Sequence, residues 1–236
     1  MPSWSLLCSY FNDLKRFASL RRAVYLVLEI KRAVLDSGKR DQRMVDRDYK
    51  TLDPFDCLSD LSGECYEKQL QALDSVCGGA YFRRALEIGC AEGVFSERLA
   101  SRCEKLVAVD LSPVALSRAA TRRIWGDHVS FGRFDLRREP IAGEFDLIVV
   151  SGVLEYFHRP TVVWGARAKL VHALADGGFL LIDTTRANQV VEDAWWSKVI
   201  LRGGRINQFF ELHPNLKVVS DDSTSICIQT LFQKIP

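Results

Sequence analysis

The stretch Leu86-Glu87-Ile88-Gly89-Cys90-Ala91-Glu92-Gly93-Val94-Phe95 constrains this chain most, because a short apolar strand turns through two glycines straight into a helix. Such a turn exposes bare backbone and aims helix N–H groups at an anionic ligand group. It also opens a regular alternation. Ala85–Ile88, Leu106–Val109, Val129–Phe134, Phe145–Val150 and Phe179–Asp183 read as strands; Val94–Arg102, Pro113–Arg123 and Thr161–Leu174 read as helices between them. The helix at Pro113 carries Ser112 as its cap and proline in its first turn. The Val-rich Phe145–Val150 run suits a strand covered on both faces. Strands separated by helices predict an α/β fold, a parallel sheet with helices on both faces. The closing Leu216–Lys234 segment holds two strand-like runs joined at Asp221-Asp222-Ser223, an antiparallel hairpin.

Ahead of the alternation, Leu7, Phe11, Leu14, Phe17, Val24, Leu28 and Leu35 recur at mostly three- or four-residue steps among basic residues, as in one or two amphipathic helices. Residues 1–50 carry eleven Lys/Arg against six Asp/Glu, so the rest of the chain is slightly acidic. This reads as a helical extension, docked on the body rather than in lipid, ahead of a catalytic domain at 51–236. A polar segment with Pro54, over 38–60, makes the crossing, and a helix over Gly63–Val76 follows it.

With 32 basic and 30 acidic residues the chain lacks the basic surface that phosphate backbones demand, so no nucleic-acid partner is expected. No run approaches the roughly 18 apolar residues of a membrane span, and no secretory signal is visible; no integral membrane association and a cytoplasmic location are expected. Seven scattered cysteines without CxxC spacing read as free thiols, and no His/carboxylate cluster predicts a metal.

Successive strand ends carry the chemistry. Asp110 closes the second strand about 20 residues past the glycine turn, where a carboxylate accepts hydrogen bonds from ribose hydroxyls. Asp135 ends the third strand beside Phe134 and Leu136, apolar walls with an acceptor suited to an adenine amine. The fourth ends in Ser151-Gly152-Val153-Leu154-Glu155-Tyr156.

Together LEIGCAEG, Asp110, Asp135 and FDLIVVSGVLEYF resemble the class I methyltransferases that use S-adenosylmethionine. Asp53-Pro54, Tyr66-Glu67 and HPNLKVV narrow the resemblance to the nodulation-type (NodS-like) N-methyltransferases of sugar amines. The resemblance implies a Rossmann-like, mostly parallel seven-stranded sheet. It also implies a cofactor site of Glu87, Gly89, Cys90, Gly93, Asp110, Leu111, Asp135, Leu136 and Ser151, with S-adenosyl-L-homocysteine as the product left there. Glu87 would repel a dinucleotide's diphosphate but welcome a methionine ammonium, which sets a dehydrogenase aside; a degenerate, non-catalytic scaffold is the other rival.

The implied acceptor is a small polar amine or hydroxyl, with His158, His213, Tyr156 and Glu155 as candidate bases. Trp195, Trp196, Arg202 and Arg205 are candidates for an acceptor wall. A homodimer is compatible with this reading. Ala91 or Glu92 stands where many relatives have a third glycine, Ser151 where an Asp or Asn is frequent, and Tyr156 where a histidine is common.

Overall fold

The computed structural model describes residue 45 and residues 47–77, 81–122, 126–157, 160–186 and 204–236. The amphipathic stretch at 4–35, His158, Trp195, Trp196 and Arg202 lie outside the described residues.

A helix, α1 (Asp60–Cys77), precedes strand β1 (Ala85–Ile88); then come α2 (Val94–Ala100), β2 (Leu106–Asp110), α3 (Pro113–Thr121) and β3 (Val129–Arg133). Strand β4 (Phe145–Ser151) leads through a 3₁₀ turn (Leu154–Tyr156) to α4 (Pro160–Ala173) and β5 (Leu174–Thr185). Helix α5 (Gly204–Glu211) and the strands β6 (Leu216–Ser223) and β7 (Cys227–Lys234) complete the fold.

The seven strands form one sheet in the order β3-β2-β1-β4-β5-β7-β6. The first five run parallel and β7 is antiparallel to both β5 and β6. Strand order therefore reverses between β1 and β4, which opens a crevice at their carboxyl ends.

Period-two alternation divides the core. Leu147 and Val149 of β4 pack on the face shared with Leu70 and Leu73 of α1 and Phe95 and Leu99 of α2. Ile148 and Val150 point to the other face, among Val163, Ala166 and Leu170 of α4 and Phe210 of α5. All four β4 side chains are fully buried, as the continuous apolar run demands. The Ser112 side chain caps α3, accepting from the Ala115 amide at 3.3 Å, with Pro113 in the first turn.

Four features differ from the sequence expectation. Strand β5 starts at Leu174, which pairs with Phe145; the ladder breaks at Gly177 and resumes with Phe179 opposite Leu147, so the expected helix stop lies within the strand's irregular start. The hairpin turns at residues 224–226 rather than at Asp221–Ser223, which pair with β7. Arg205, read as part of a basic loop over 201–205, instead belongs to α5, which forms because Ile206, Asn207 and Phe210 bury against the sheet. Finally, Cys65 of α1 and Cys227 of β7 stand as a disulfide, correcting the expectation that all the cysteines are free; Cys57, Cys90 and Cys103 are free thiols.

The α5 contact is polar at its centre. Asn207 is buried; its Oδ1 accepts from the Thr184 hydroxyl at 3.0 Å, and its Nδ2 donates to the Thr230 hydroxyl at 2.9 Å. Replacing Asn207 with Ala strands the Thr184 hydroxyl, at about 1–3 kcal/mol for a buried group left unpaired, while the Thr230 hydroxyl keeps its bond to Asp221 Oδ1 at 3.0 Å. Urea unfolding of Asn207→Ala is expected to show a stability loss of about 1–3 kcal/mol, whereas an exposed helix position would show almost none.

Candidate functional site

The turn after β1 takes left-handed backbone at Gly89 (φ +90°), Ala91 (φ +47°) and Gly93 (φ +80°). A side chain at Gly89 would be driven to 2.5 Å from the Ser151 carbonyl oxygen, so the close approach of β1 to β4 requires glycine there. Gly93 supplies the residue from which α2 starts, its amide donating to the Cys90 carbonyl at 2.8 Å. Ala91 holds its unfavourable conformation because its amide donates to Asp110 Oδ2 at 2.9 Å, tying the turn to the end of β2. Asp110 Oδ1 accepts from the Ser112 amide at 2.8 Å. Burial pushes the Asp110 carboxyl up, against backbone hydrogen bonds from Ser112, Ala91 and Leu111 that favour its charge.

Around this turn a cavity of about 430 Å³ opens at the carboxyl ends of β1, β2, β4 and β5 and just past β3. Of the expected cofactor residues, Glu87, Gly89, Cys90, Asp110, Leu111, Asp135, Leu136 and Ser151 line it. Gly93 instead shapes the turn behind it. Glu87 is 1% exposed, and its Oε2 has no hydrogen-bond partner among the described residues. Burial, with the nearby Asp110 charge, pushes its carboxyl up to about 7. An orphaned, buried carboxylate oxygen facing a cavity fits a cationic ligand group.

Asp135 departs from its expected part. Arg137 donates to Asp135 Oδ1 through Nε at 2.9 Å and through its amide at 3.1 Å, and to Oδ2 through Nη2 at 3.1 Å. Burial raises the Asp135 carboxyl, but Arg137 outweighs it and holds the group below the usual carboxylate range. Three of a carboxylate's roughly four acceptor positions are thus used, and this wall of the cavity is an ion pair flanked by Phe134 and Leu136.

The acceptor candidates separate. Tyr156 lines the cavity, and burial, with the Glu155 charge, pushes its hydroxyl up to about 12; it is a neutral hydrogen-bonding group, not a base. His213 lies at the opposite edge of the sheet. Strand β6 is antiparallel to β7 and so parallel to β5, and His213 just precedes its first residue, Leu216. There its Nδ1 accepts from the Asn215 amide at 3.2 Å, which suits a turn cap and excludes it as the base in this cavity. Arg205 sits in the first turn of α5 and does not line the cavity.

Several cavity residues escape a reading of the sequence. Asp183 lies two residues before the end of β5, opposite Ser151 at the end of β4, and the logic applied to the first four strand ends extends to it. Tyr49, 3% exposed, lines the cavity, although 38–60 reads as a polar crossing. Arg118 holds it there, donating to the Tyr49 and Thr51 carbonyls at 2.9 Å each and to Glu92 Oε1 at 2.6 Å. Asp53 turns the segment, its carboxylate accepting from the Cys57 and Leu58 amides at 2.7 and 3.0 Å. None of the long-range Arg118 contacts leaves a periodic signal in the sequence.

Residues 37–200 match the model of the family described as Nodulation protein S (NodS). The chain is 39% identical over 102 residues to Nodulation protein S of Bradyrhizobium diazoefficiens, covering 43% of this chain and 49% of that protein. It is 35% identical over 129 residues to Nodulation protein S of Rhizobium tropici, covering 53% and 54%. The chain thus spans about half the length of the curated relatives it matches. It also superposes, at a TM-score of 0.67 and 28% identity, on the crystal structure of N-methyltransferase NodS from Bradyrhizobium japonicum WM9 in complex with S-adenosyl-L-homocysteine, covering 82% of this chain and 97% of that one. With this family match over most of its length, and with the strand order, glycine turn and strand-end acids described above, the chain belongs to the nodulation protein S family, on the Rossmann-like fold of class I methyltransferases.

Proposed function

We propose that the protein transfers a methyl group from S-adenosylmethionine to an amine of a small polar, carbohydrate-like acceptor, with residues 51–236 as the catalytic domain. The observation that carries this reading is the cavity itself, where the glycine turn, the orphaned Glu87 oxygen and Asp110 converge at neighbouring strand ends. The likeness to a solved N-methyltransferase holding the product form of the cofactor supports it. The choice of an amine over a hydroxyl, and of a carbohydrate-like molecule, is part of the proposal.

In this reading Glu87 receives the cofactor's methionine ammonium, Asp110 its ribose hydroxyls, and the Leu111, Phe134 and Leu136 side chains its adenine. When bound, S-adenosylmethionine supplies a methyl carbon already activated by a sulfonium. The chain's remaining task is to exclude water and align an unprotonated nucleophile, which is where most of the rate enhancement of such a displacement arises. Tyr49 and Tyr156 close the walls of the cavity. The Tyr156 hydroxyl, neutral at any working pH, orients rather than deprotonates.

Removing Asp110 deletes a charge-assisted hydrogen-bond acceptor worth about 1.5–3 kcal/mol. Titration calorimetry is expected to show S-adenosylmethionine bound by the wild type and at least about tenfold more weakly by Asp110→Ala. Unchanged affinity in that variant would remove Asp110 from the site.

Glu87 also makes a ligand-free prediction. Its carboxyl is raised from an ordinary 4.5 to about 7. Between those values the native chain keeps a proton that the unfolded chain has lost, so its contribution to stability declines as pH rises through the window. Above it the penalty is roughly 3 kcal/mol. Glu87→Gln carries no such penalty. Its stability relative to the wild type, from urea unfolding without ligand, is therefore expected to grow from pH 4.5 to 7; a pH-independent difference contradicts the assignment.

A further inference from the structure

Methyl transfer to an amine needs a nitrogen lone pair, yet an aliphatic amine arrives in neutral water mostly as an ammonium ion. The half of the cavity beyond the cofactor residues is built around two acids. Asp183, near the end of β5, uses Oδ2 to accept from the Ser151 hydroxyl at 2.8 Å. Glu155, in the 3₁₀ turn after β4, uses Oε1 to accept from the Thr185 amide and hydroxyl at 3.1 and 2.9 Å. These bonds fix both carboxyl groups and leave one oxygen on each, Asp183 Oδ1 and Glu155 Oε2. Both oxygens are shut off from solvent and have no hydrogen-bond partner among the described residues. Both residues line the cavity.

The charge balance around them is one-sided. The described cavity wall carries the carboxyl groups of Glu87, Asp110, Asp135, Glu155 and Asp183 and a single guanidinium, that of Arg137, which is paired with Asp135. Buried carboxylates without partners are expensive and settle either by keeping a proton or by receiving a cation. A cofactor ammonium at Glu87 answers one of them. It leaves Asp183 on β5, across β4 from β1, and Glu155, which is bonded to Thr185 of β5.

We propose that Asp183 and Glu155 form the acceptor subsite, binding the substrate amine as its ammonium form, and that Asp183 accepts the proton which must leave before the nitrogen can attack. The assignment rests on the methyl-transfer reading above and gives its amine acceptor a binding place and a proton acceptor. An ammonium offers three N–H donors, enough to meet Asp183 Oδ1 and Glu155 Oε2 together. A hydroxyl acceptor would leave both charges uncompensated.

The transfer balances simply. The N–H bond breaks toward Asp183 Oδ1, the ammonium becomes a neutral amine with a free lone pair, and the carboxylate becomes a carboxylic acid. That acid passes its proton back into the cavity, which opens to solvent, once the product has left. Burial and the Glu155 charge push the Asp183 carboxyl up to about 7, near the strength that suits a proton acceptor in neutral water. The groups facing it are Glu155, the Ser151 hydroxyl, and Tyr66 of α1, which lies close enough to feel both Asp183 and Glu87.

The test uses glucosamine as the probe amine, N-acetylglucosamine as its uncharged counterpart, and the full chain loaded with S-adenosyl-L-homocysteine. Titration calorimetry is expected to show glucosamine bound more tightly than N-acetylglucosamine. Its affinity should pass through a maximum in pH, falling on the acid side as Asp183 protonates and on the alkaline side as the amine loses its charge. Asp183→Asn and Glu155→Gln should each weaken glucosamine by roughly tenfold or more while leaving homocysteine-cofactor affinity unchanged. With glucosamine as the methyl acceptor, kcat/KM of Asp183→Asn should fall by about 10²-fold near pH 7 and recover at alkaline pH, where the amine no longer needs a proton acceptor. A merely structural role would not produce that recovery. Should Asp183→Asn fail to fold, Glu155→Gln and the wild-type pH profile decide the matter. Absent or pH-independent glucosamine binding by the wild type, or equal binding by the wild type and both variants with cofactor affinity intact, overturns the subsite and leaves the methyltransferase reading standing. Failure of the wild type to bind S-adenosyl-L-homocysteine overturns that reading and the subsite with it.

Discussion

The hydrogen bonds that Asp110 accepts from Ala91 and Ser112 organise the rest of the site. One carboxylate at the end of β2 fastens the turn that leaves β1 and the loop that enters α3. It thereby holds a non-glycine residue, Ala91, in a left-handed conformation that would otherwise cost free energy. With that turn anchored, Gly89 brings β1 against β4, and Glu87, two residues earlier, is left almost wholly buried in the cavity wall. The same sheet carries Ser151 and Asp183 to neighbouring positions on β4 and β5. The cavity is the place where backbone pairing delivers acids that the side-chain packing then desolvates.

Desolvation gives the site its character. Charged oxygens buried without partners destabilise the ligand-free protein, and the same imbalance becomes affinity when a cationic ligand arrives. Asp135 shows the alternative outcome within one cavity: Arg137 satisfies it internally, its carboxyl stays strongly acidic, and it serves as part of a wall. Glu87 and Asp183 have no such partner, and burial raises both. The difference lies in whether an arginine sits two residues away, not in the kind of acid.

Much of this architecture is legible in the order of the residues. Alternating strands and helices, the glycine turn, Ser112 with Pro113, and the acids at the ends of β2 and β3 are local patterns, and each appears where its spacing places it. The features that spacing misses depend on partners distant in sequence. Asn207 has no reason to be helical until Thr184 and Thr230 lie opposite it. The pairing of Cys65 with Cys227 joins residues 162 apart. Tyr49 reads as part of a polar crossing because the guanidinium that pins it belongs to Arg118. His213 resembles a catalytic histidine on residue type alone, and only the direction of β6 shows that it faces away from the chemistry.

The amino-acid sequence by itself determined the fold class and the glycine turn and strand-end acids of the cavity, because a parallel sheet places strand ends on one edge and a glycine turn needs no distant partner to be a turn. Tertiary structure alone decided which acids are paired, which are stranded, and which histidine is out of reach. Those properties follow from burial and from contacts across the sheet, and neither is a function of spacing along the chain.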